Sequence, residues 1–215
     1  MQKFVDDIDA VIAETCEMAK LSTDMLERAI QAVTEGDVEM ADSIIRDQAR
    51  IEKFDDEVED AAIRILTLYQ PTAVDTRTLA TILKSITHLE RIAKYSTNIA
   101  TATKYLADKP TYEVVDLIRP VGELALNLVK RVVAGFDNRS IEGFKNIRDM
   151  DDRLDEAMQH DLDMIVDYIN AHENAADVCI YYISILKFLE RVGDHACKMA
   201  EKVCFMVTGR RATIN

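Results

Sequence analysis

"LERIAKYSTNIA" at residues 89–100 and "LERVGDHACKMA" at residues 189–200 say nearly the same thing a hundred residues apart. Both open on Leu-Glu-Arg, close on Ala, and match apolar with apolar between. One position reverses its charge: Lys94 in the first copy, Asp194 in the second. A helical phrase repeated at this distance points to a duplicated unit, and the surrounding sequence extends the repeat. With a shift of 103, Val38 falls on Ile141, Ile44 on Ile147, Gln48 on Asp151, Ile51 on Leu154 and Glu52 on Asp155. Similarity in two separate helices, in the same order, makes two units of one plan.

Each unit reads as three helices. Apolar residues at Val5, Ile8, Ile12, Met18, Met25, Ala29 and Val33 follow a helical period until Gly36-Asp37 breaks it. A second period runs from Val38 to Tyr69 and stops at Pro71, after which Asp75 is the expected N-cap of a third helix that frays near Asp108-Lys109-Pro110. The pattern restarts from about Thr111 to Phe136, with Pro120 at its start or kinking it. After the turn at 137–140 a fifth helix reaches about Asn170, and a sixth spans Asp177 to Val207. Only 6 Gly and 3 Pro in 215 residues are too few turn formers for a strand-rich fold. Short connections make consecutive helices antiparallel, and their apolar stripes need neighbours. The expectation is an all-α fold of two tandem three-helix bundles, residues 1–108 and 109–215, six long antiparallel helices with an internal two-fold repeat.

Composition narrows the function. The formal net charge is -13, with both halves acidic, which repels nucleic-acid backbones and anionic lipid heads. Lys130-Arg131 and Arg210-Arg211 are the paired basic residues, and neither makes a stripe; only a small local basic patch escapes the argument. Cys16, Cys179, Cys197 and Cys204 lack C-x-x-C spacing and read as buried reduced thiols of a cytoplasmic protein. The N-terminus has no apolar signal region, and "VCIYYISIL" at 178–186 is far short of the roughly 20 residues of a membrane span.

The informative residues are carboxylates that interrupt apolar stripes. In the sixth helix Glu190 stands between Leu186 and Gly193 where a core side chain belongs, and Asp194 follows one turn later. In the fifth, Asp151 lies between Ile147 and Leu154, with Asp155 one turn on. Like charges at i,i+4 destabilise a helix by a few tenths of a kcal/mol when exposed and by more when desolvated. A divalent metal or iron held by oxygen ligands from two facing helices would offset them, with Gly193 leaving room beside Asp194. Two other readings stand beside it: ion pairs from Arg153 and Arg191, or carboxylates solvated at the bundle surface. The first unit has Gln48 with Glu52 and Glu90 with Lys94. Glu90–Lys94 is a self-neutralising helical pair, so a metal site belongs to the second unit, with Glu52 and Glu90 as weaker equivalents. No catalytic constellation is found: the four His form no Glu-x-x-His pair, His195 reads as a polar-face or partly buried residue, and no phosphate loop or nucleophile elbow occurs.

At this point the residues resemble a known family. The repeated stretches at 89–100 and 189–200 resemble the Leu-Glu-Arg-Ile-Gly-Asp motif that ends each repeat of PhoU proteins, regulators of phosphate uptake. "RILTLYQPTAVDTRTLATILKSITHLERI" (64–92) is similar to that family's Gln-Pro-x-Ala-x-Asp-Leu-Arg turn, matching at Gln70, Pro71, Ala73, Asp75 and Arg77, with Thr76 in place of Leu. "RDMDDRLDEAM" (148–158) resembles its Asp-x-x-Val-Asp segment at Asp151, Leu154 and Asp155. The resemblance implies a cytoplasmic, non-catalytic regulator, often a homodimer, that restrains a phosphate ABC transporter, with the transporter's ATPase subunit as the expected contact, and connects it to a sensor histidine kinase. It implies membrane association only through such partners. It also implies metal or iron binding through Glu/Asp-x-x-x-Asp motifs, kept here by Asp151-Asp155 and Glu190-Asp194 and lost at Gln48 and Lys94. Two rivals remain on the residues alone: a regulatory subunit of another ion or phosphate transporter, and a carboxylate metal-storage or metalloenzyme bundle.

Overall fold

In the computed structural model, which describes residues 2–214, the chain folds into six α-helices, and no strand occurs among the described residues. They are α1 (Gln2–Glu35), α2 (Val38–Tyr69), α3 (Ala73–Leu106), α4 (Ile118–Asp137), α5 (Ile147–Ala171) and α6 (Ala176–Thr208). The all-α, twice-repeated plan expected from the sequence is what the chain adopts.

The helix ends follow the local chemistry. Gly36 takes φ +69° to end α1, and Asp37 then caps α2, its carboxylate accepting from the Met40 N–H at 2.9 Å. At the start of α3 the expectation needs correction. Thr72 occupies the N-cap position, and Asp75 lies inside the first turn, where its carboxylate accepts from the Thr72 hydroxyl at 2.6 Å. A carboxylate there still suits the positive end of the helix dipole. The fourth helix is shorter than its apolar period suggests, because Glu113–Leu117 wind as a 3-10 turn before α4 begins. Pro120 is the third residue of α4, where its missing N–H has no intrahelical acceptor to lose, so it starts the helix without kinking it.

Within the first unit α1, α2 and α3 pack on one another, and α4, α5 and α6 do the same in the second. The most extensive single contact, however, joins the units: α3 lies against α6. The pairing runs antiparallel. The Thr81 hydroxyl donates to the Lys202 carbonyl at 3.2 Å, His88 meets His195, Tyr95 stacks near Phe188 with centroids 5.9 Å apart, and Tyr105 stacks on Tyr181 at 4.0 Å. Because Tyr95 corresponds to His195 and His88 to Phe188 in the repeat, the internal two-fold passes between these contacts. A second seam, α1 on α4, is bordered by Lys130–Glu27 at 2.9 Å and by the Cys16 thiol donating to Asp137 at 3.2 Å. The core is aliphatic, with Met18, Met25, Leu26, Ile44, Ile51, Leu79, Leu89 and Ile99 fully buried. Such burial stabilises by about 1.5–3 kcal/mol per large side chain. All four cysteines are free thiols; Cys16, Cys179 and Cys197 are buried and Cys204 half-buried.

Candidate functional site

The interrupted stripes of α5 and α6 meet inside the second unit. Asp151 is buried, 7% exposed, at the α5–α6 contact, while Glu190 and Asp194 on α6 are half-buried and Asp155 is exposed. Gly193 is where the two helices touch: a Cβ built there would run into the Leu154 side chain and stand 3.4 Å from an Asp151 carboxylate oxygen. The room that Gly193 leaves is therefore filled by Leu154, and the glycine's role is to let α5 and α6 approach. One turn further on, the Cys197 thiol bonds to Asp151, and burial first, with Asp151 second, pushes that thiol well above the ordinary range. Cys197 is thus kept as a neutral thiol.

The four carboxylates sense one another. Partial burial, then the negative charges of Asp151, Glu190 and Asp194, raise the Asp155 carboxyl above its ordinary value. Cations answer two of them from within α6 itself. Arg191 reaches Asp194 at 3.1 Å and Lys187 stands 3.7 Å from Glu190. Arg153 instead faces a surface groove beside Lys130, Arg131 and Asp149. Of the two cations weighed from the sequence, then, Arg191 pairs within its own helix, and among the described residues Arg153 forms no ion pair.

Whether a metal ion suits this place is a question of donors. Among the described residues no group of three or more His, Cys, Asp or Glu side chains is gathered as a ready ligand set. Yet one oxygen of Glu190 is buried with no hydrogen-bond partner, Lys187 being too distant. A buried carboxylate oxygen without a partner costs about 1–3 kcal/mol or more, and a hard cation would satisfy it. The donor chemistry fits an oxygen-seeking cation; the ligands are not preassembled.

The first unit keeps the plan and changes the groups. Gln48 is buried at the place of Asp151, its carbonyl accepting from the Thr97 hydroxyl at 3.1 Å, as Asp151 accepts from Cys197. The Gln48 amide in turn donates to Glu52 at 3.2 Å. An amide satisfies both neighbours without a charge. The expected Glu90–Lys94 pair does not form: Glu90 lies 3.4 Å from Arg91, and Lys94 is exposed with no ion pair among the described residues. What faces Glu90 is Asp55 from α2, a residue that the sequence reading passed over. Burial, then the charge of Glu90, raises the Asp55 carboxyl, and one of its oxygens is buried without a partner. Its signal was present, since Asp55 interrupts the stripe between Ile51 and Val58 in the same way that Asp151 interrupts its own.

The histidines form the remaining unusual group. His88 and His195 lie with their Nδ1 atoms 3.1 Å apart, so one ring must donate and the other accept. Burial, then His195 and the lysines Lys202, Lys198 and Lys84, push His88 down to about 4. His195, placed at the half-buried seam, matches the partly buried expectation and gains an unforeseen partner. No helix among the described residues is long and apolar enough to cross a membrane.

Comparison with known proteins fits this geometry. The family model described as the PhoU domain matches residues 15–103 and again 118–203, once on each unit. A curated relative from Zymomonas mobilis, called phosphate-specific transport system accessory protein PhoU homolog, is 28% identical over 211 residues, covering 98% of this chain and 89% of the relative. The crystal structure of PhoU from Pseudomonas aeruginosa superposes with a TM-score of 0.92 at 24% identity, covering 96% of this chain and all of that one. The phosphate transport system regulatory protein PhoU from Streptococcus pneumoniae gives a TM-score of 0.88 at 22% identity, covering 97% of this chain and 99% of the other. These two structures share the fold. With both repeats matched by the family model, the chain belongs to the PhoU family.

Proposed function

We propose that this protein regulates phosphate uptake as an accessory subunit of a phosphate ABC transporter, acting by binding and without chemistry of its own. The observation that carries the reading is the double family match across both units, together with a curated relative of nearly equal length named as a phosphate-specific transport system accessory protein. The fold supports it physically. Long helices locked by the α3–α6 seam make a stiff body with an acidic surface, suited to docking on a cytoplasmic transporter face such as its ATPase subunit. To restrain transport, the body must bind one conformational state of the transporter more tightly than the other. A sensor histidine kinase is a second proposed partner, through the same docked assembly, and a homodimer is the proposed oligomeric state. The test is phosphate uptake by cells lacking the protein at high external phosphate. Uptake should rise and return to normal on re-expression; unchanged uptake would sink the proposal.

Within that reading, Asp151, Asp155, Glu190 and Asp194 are the proposed holders of a divalent cation or iron. When bound, such an ion supplies positive charge that neutralises the carboxylates and stiffens the α5–α6 pair. The chain's own contribution is the orphaned Glu190 oxygen and the close helix approach at Gly193. Metal content of protein purified without chelator, beside the Glu190→Gln, Asp194→Asn double variant, checks it: equal content in both removes the assignment.

A further inference from the structure

We propose that the groove between the first half of α3, the end of α6 and the returning C-terminal tail binds a small, multiply charged phosphate-bearing anion, such as a diphosphate. The groove exists because of the tail. Gly209 turns the chain at φ +71°, Arg210 N–H bonds the Thr208 hydroxyl at 3.1 Å, and Ile214 N–H donates to Glu201 at 3.0 Å. The tail thus doubles back along α6, and Ile214 packs on the core. It borders an open groove of about 490 Å³ whose polar wall is Thr81, Lys84, Lys202, Arg211 and Thr213 with Glu201, and whose apolar floor includes Phe205. That size accommodates more than one phosphoryl group and lies within the range of small-ligand sites.

Charge makes the groove unusual. In a chain of net charge -13, three cations converge on one concavity, and among the described residues Lys84 and Arg211 form no ion pair. Glu201, the carboxylate present, accepts the Ile214 N–H and lies 3.6 Å from Lys202, so its charge is partly engaged. Outside the groove lining, at the turn where the tail begins, lies one more cation. Arg77 rests against Gly209, within 3.6–3.8 Å of where a Cβ would stand, and its buried Nε–H has no partner. The wall offers the Arg211 fork, the Lys84 and Lys202 ammonium groups and the Thr213 hydroxyl, while the Thr81 hydroxyl is already given to the Lys202 carbonyl. The three cations suit a tetrahedral polyanion, with Phe205 beneath them. The sequence hides it, since the antiparallel α3–α6 pairing brings Lys84 to Lys202 and the returning tail brings Arg211 to both.

The experiment uses the full-length purified chain and inorganic pyrophosphate, followed by equilibrium dialysis at fixed ionic strength, with orthophosphate and sulfate as comparison anions. Pyrophosphate should bind more tightly than either. The Lys84→Ala, Arg211→Ala double variant should bind about a hundredfold more weakly, roughly tenfold for each charge-assisted contact. Both side chains are exposed, so the variant should fold; helical circular dichroism checks this, and Lys53→Ala on α2 should bind as wild type. The His88 imidazole resonance should also titrate at somewhat higher pH with pyrophosphate present: burial and His195 still depress it, but the added effect of Lys202 and Lys84 would be neutralised. Equal affinity in wild type and the double variant, or sulfate binding as tightly as pyrophosphate, would overturn the proposal. The assay contains no transporter, so its outcome is independent of the uptake experiment.

Discussion

The Nδ1 atoms of His88 and His195 lie 3.1 Å apart across the seam that joins the two units. The contact holds with one neutral ring donating to the other, and a second proton would set two cations together beside Lys84, Lys198 and Lys202. His88 is accordingly depressed to about 4 in the fold, against about 6.5 in an unfolded chain. A base with a lowered folded pKa contributes stability that is present above the unfolded value and lost as pH falls toward the folded one. Unfolding free energy should therefore drop by about 2 kcal/mol between pH 6.5 and 4 from this group, after allowance for its partial exposure. His88→Phe, which copies the repeat-equivalent Phe188, should flatten that part of the urea-denaturation pH profile. An unchanged profile would mean that the pair carries no proton linkage.

Gly193 predicts a steric result. Gly193→Ala places a methyl group into Leu154, forcing α5 and α6 apart, and should destabilise by about 1–3 kcal/mol. Combined with Leu154→Ala the cost should be clearly less than additive, since the clash and its target disappear together. Thermal melts of the four members of this cycle measure the coupling. Strict additivity would show that Gly193 is not the contact point.

Asp55 predicts a stabilising change. Its carboxyl is raised by burial and by Glu90, so its contribution is favourable when protonated and is lost as pH rises through the raised folded value. Asp55→Asn removes that penalty at neutral pH and should raise Tm by about 1–3 °C in chelator-treated protein. A lower Tm would mean that the carboxylate has a compensating partner.

How much of this was legible in the sequence depends on the range of the interaction. Gly36, Asp37 and Pro71 act on their neighbours, and the helices end beside them. The repeat, and with it the corresponding positions Gln48 and Asp151, follows from spacing alone. Asp75 misled because the helix begins three residues earlier, where the chain leaves Pro71, so that Thr72 takes the N-cap position and Asp75 falls inside the first turn. Glu90 misled because a favourable spacing to Lys94 does not oblige a flexible side chain to use it; Arg91 is nearer. Asp55 has a stripe-interrupting position like Asp151, but its shifted counterpart is Met158, so the repeat gave no second vote. The His88–His195 contact and the basic groove depend on α3 crossing α6 antiparallel, a tertiary fact that no local pattern encodes.

Affinity purification of this protein from membranes of its own cells, grown in high phosphate and mildly cross-linked, tests the central claim most directly. The account predicts that phosphate ABC transporter subunits, the ATPase first among them, are recovered with it. Recovery of the intact protein without any transporter subunit, when the transporter is present in the same membranes, would contradict it.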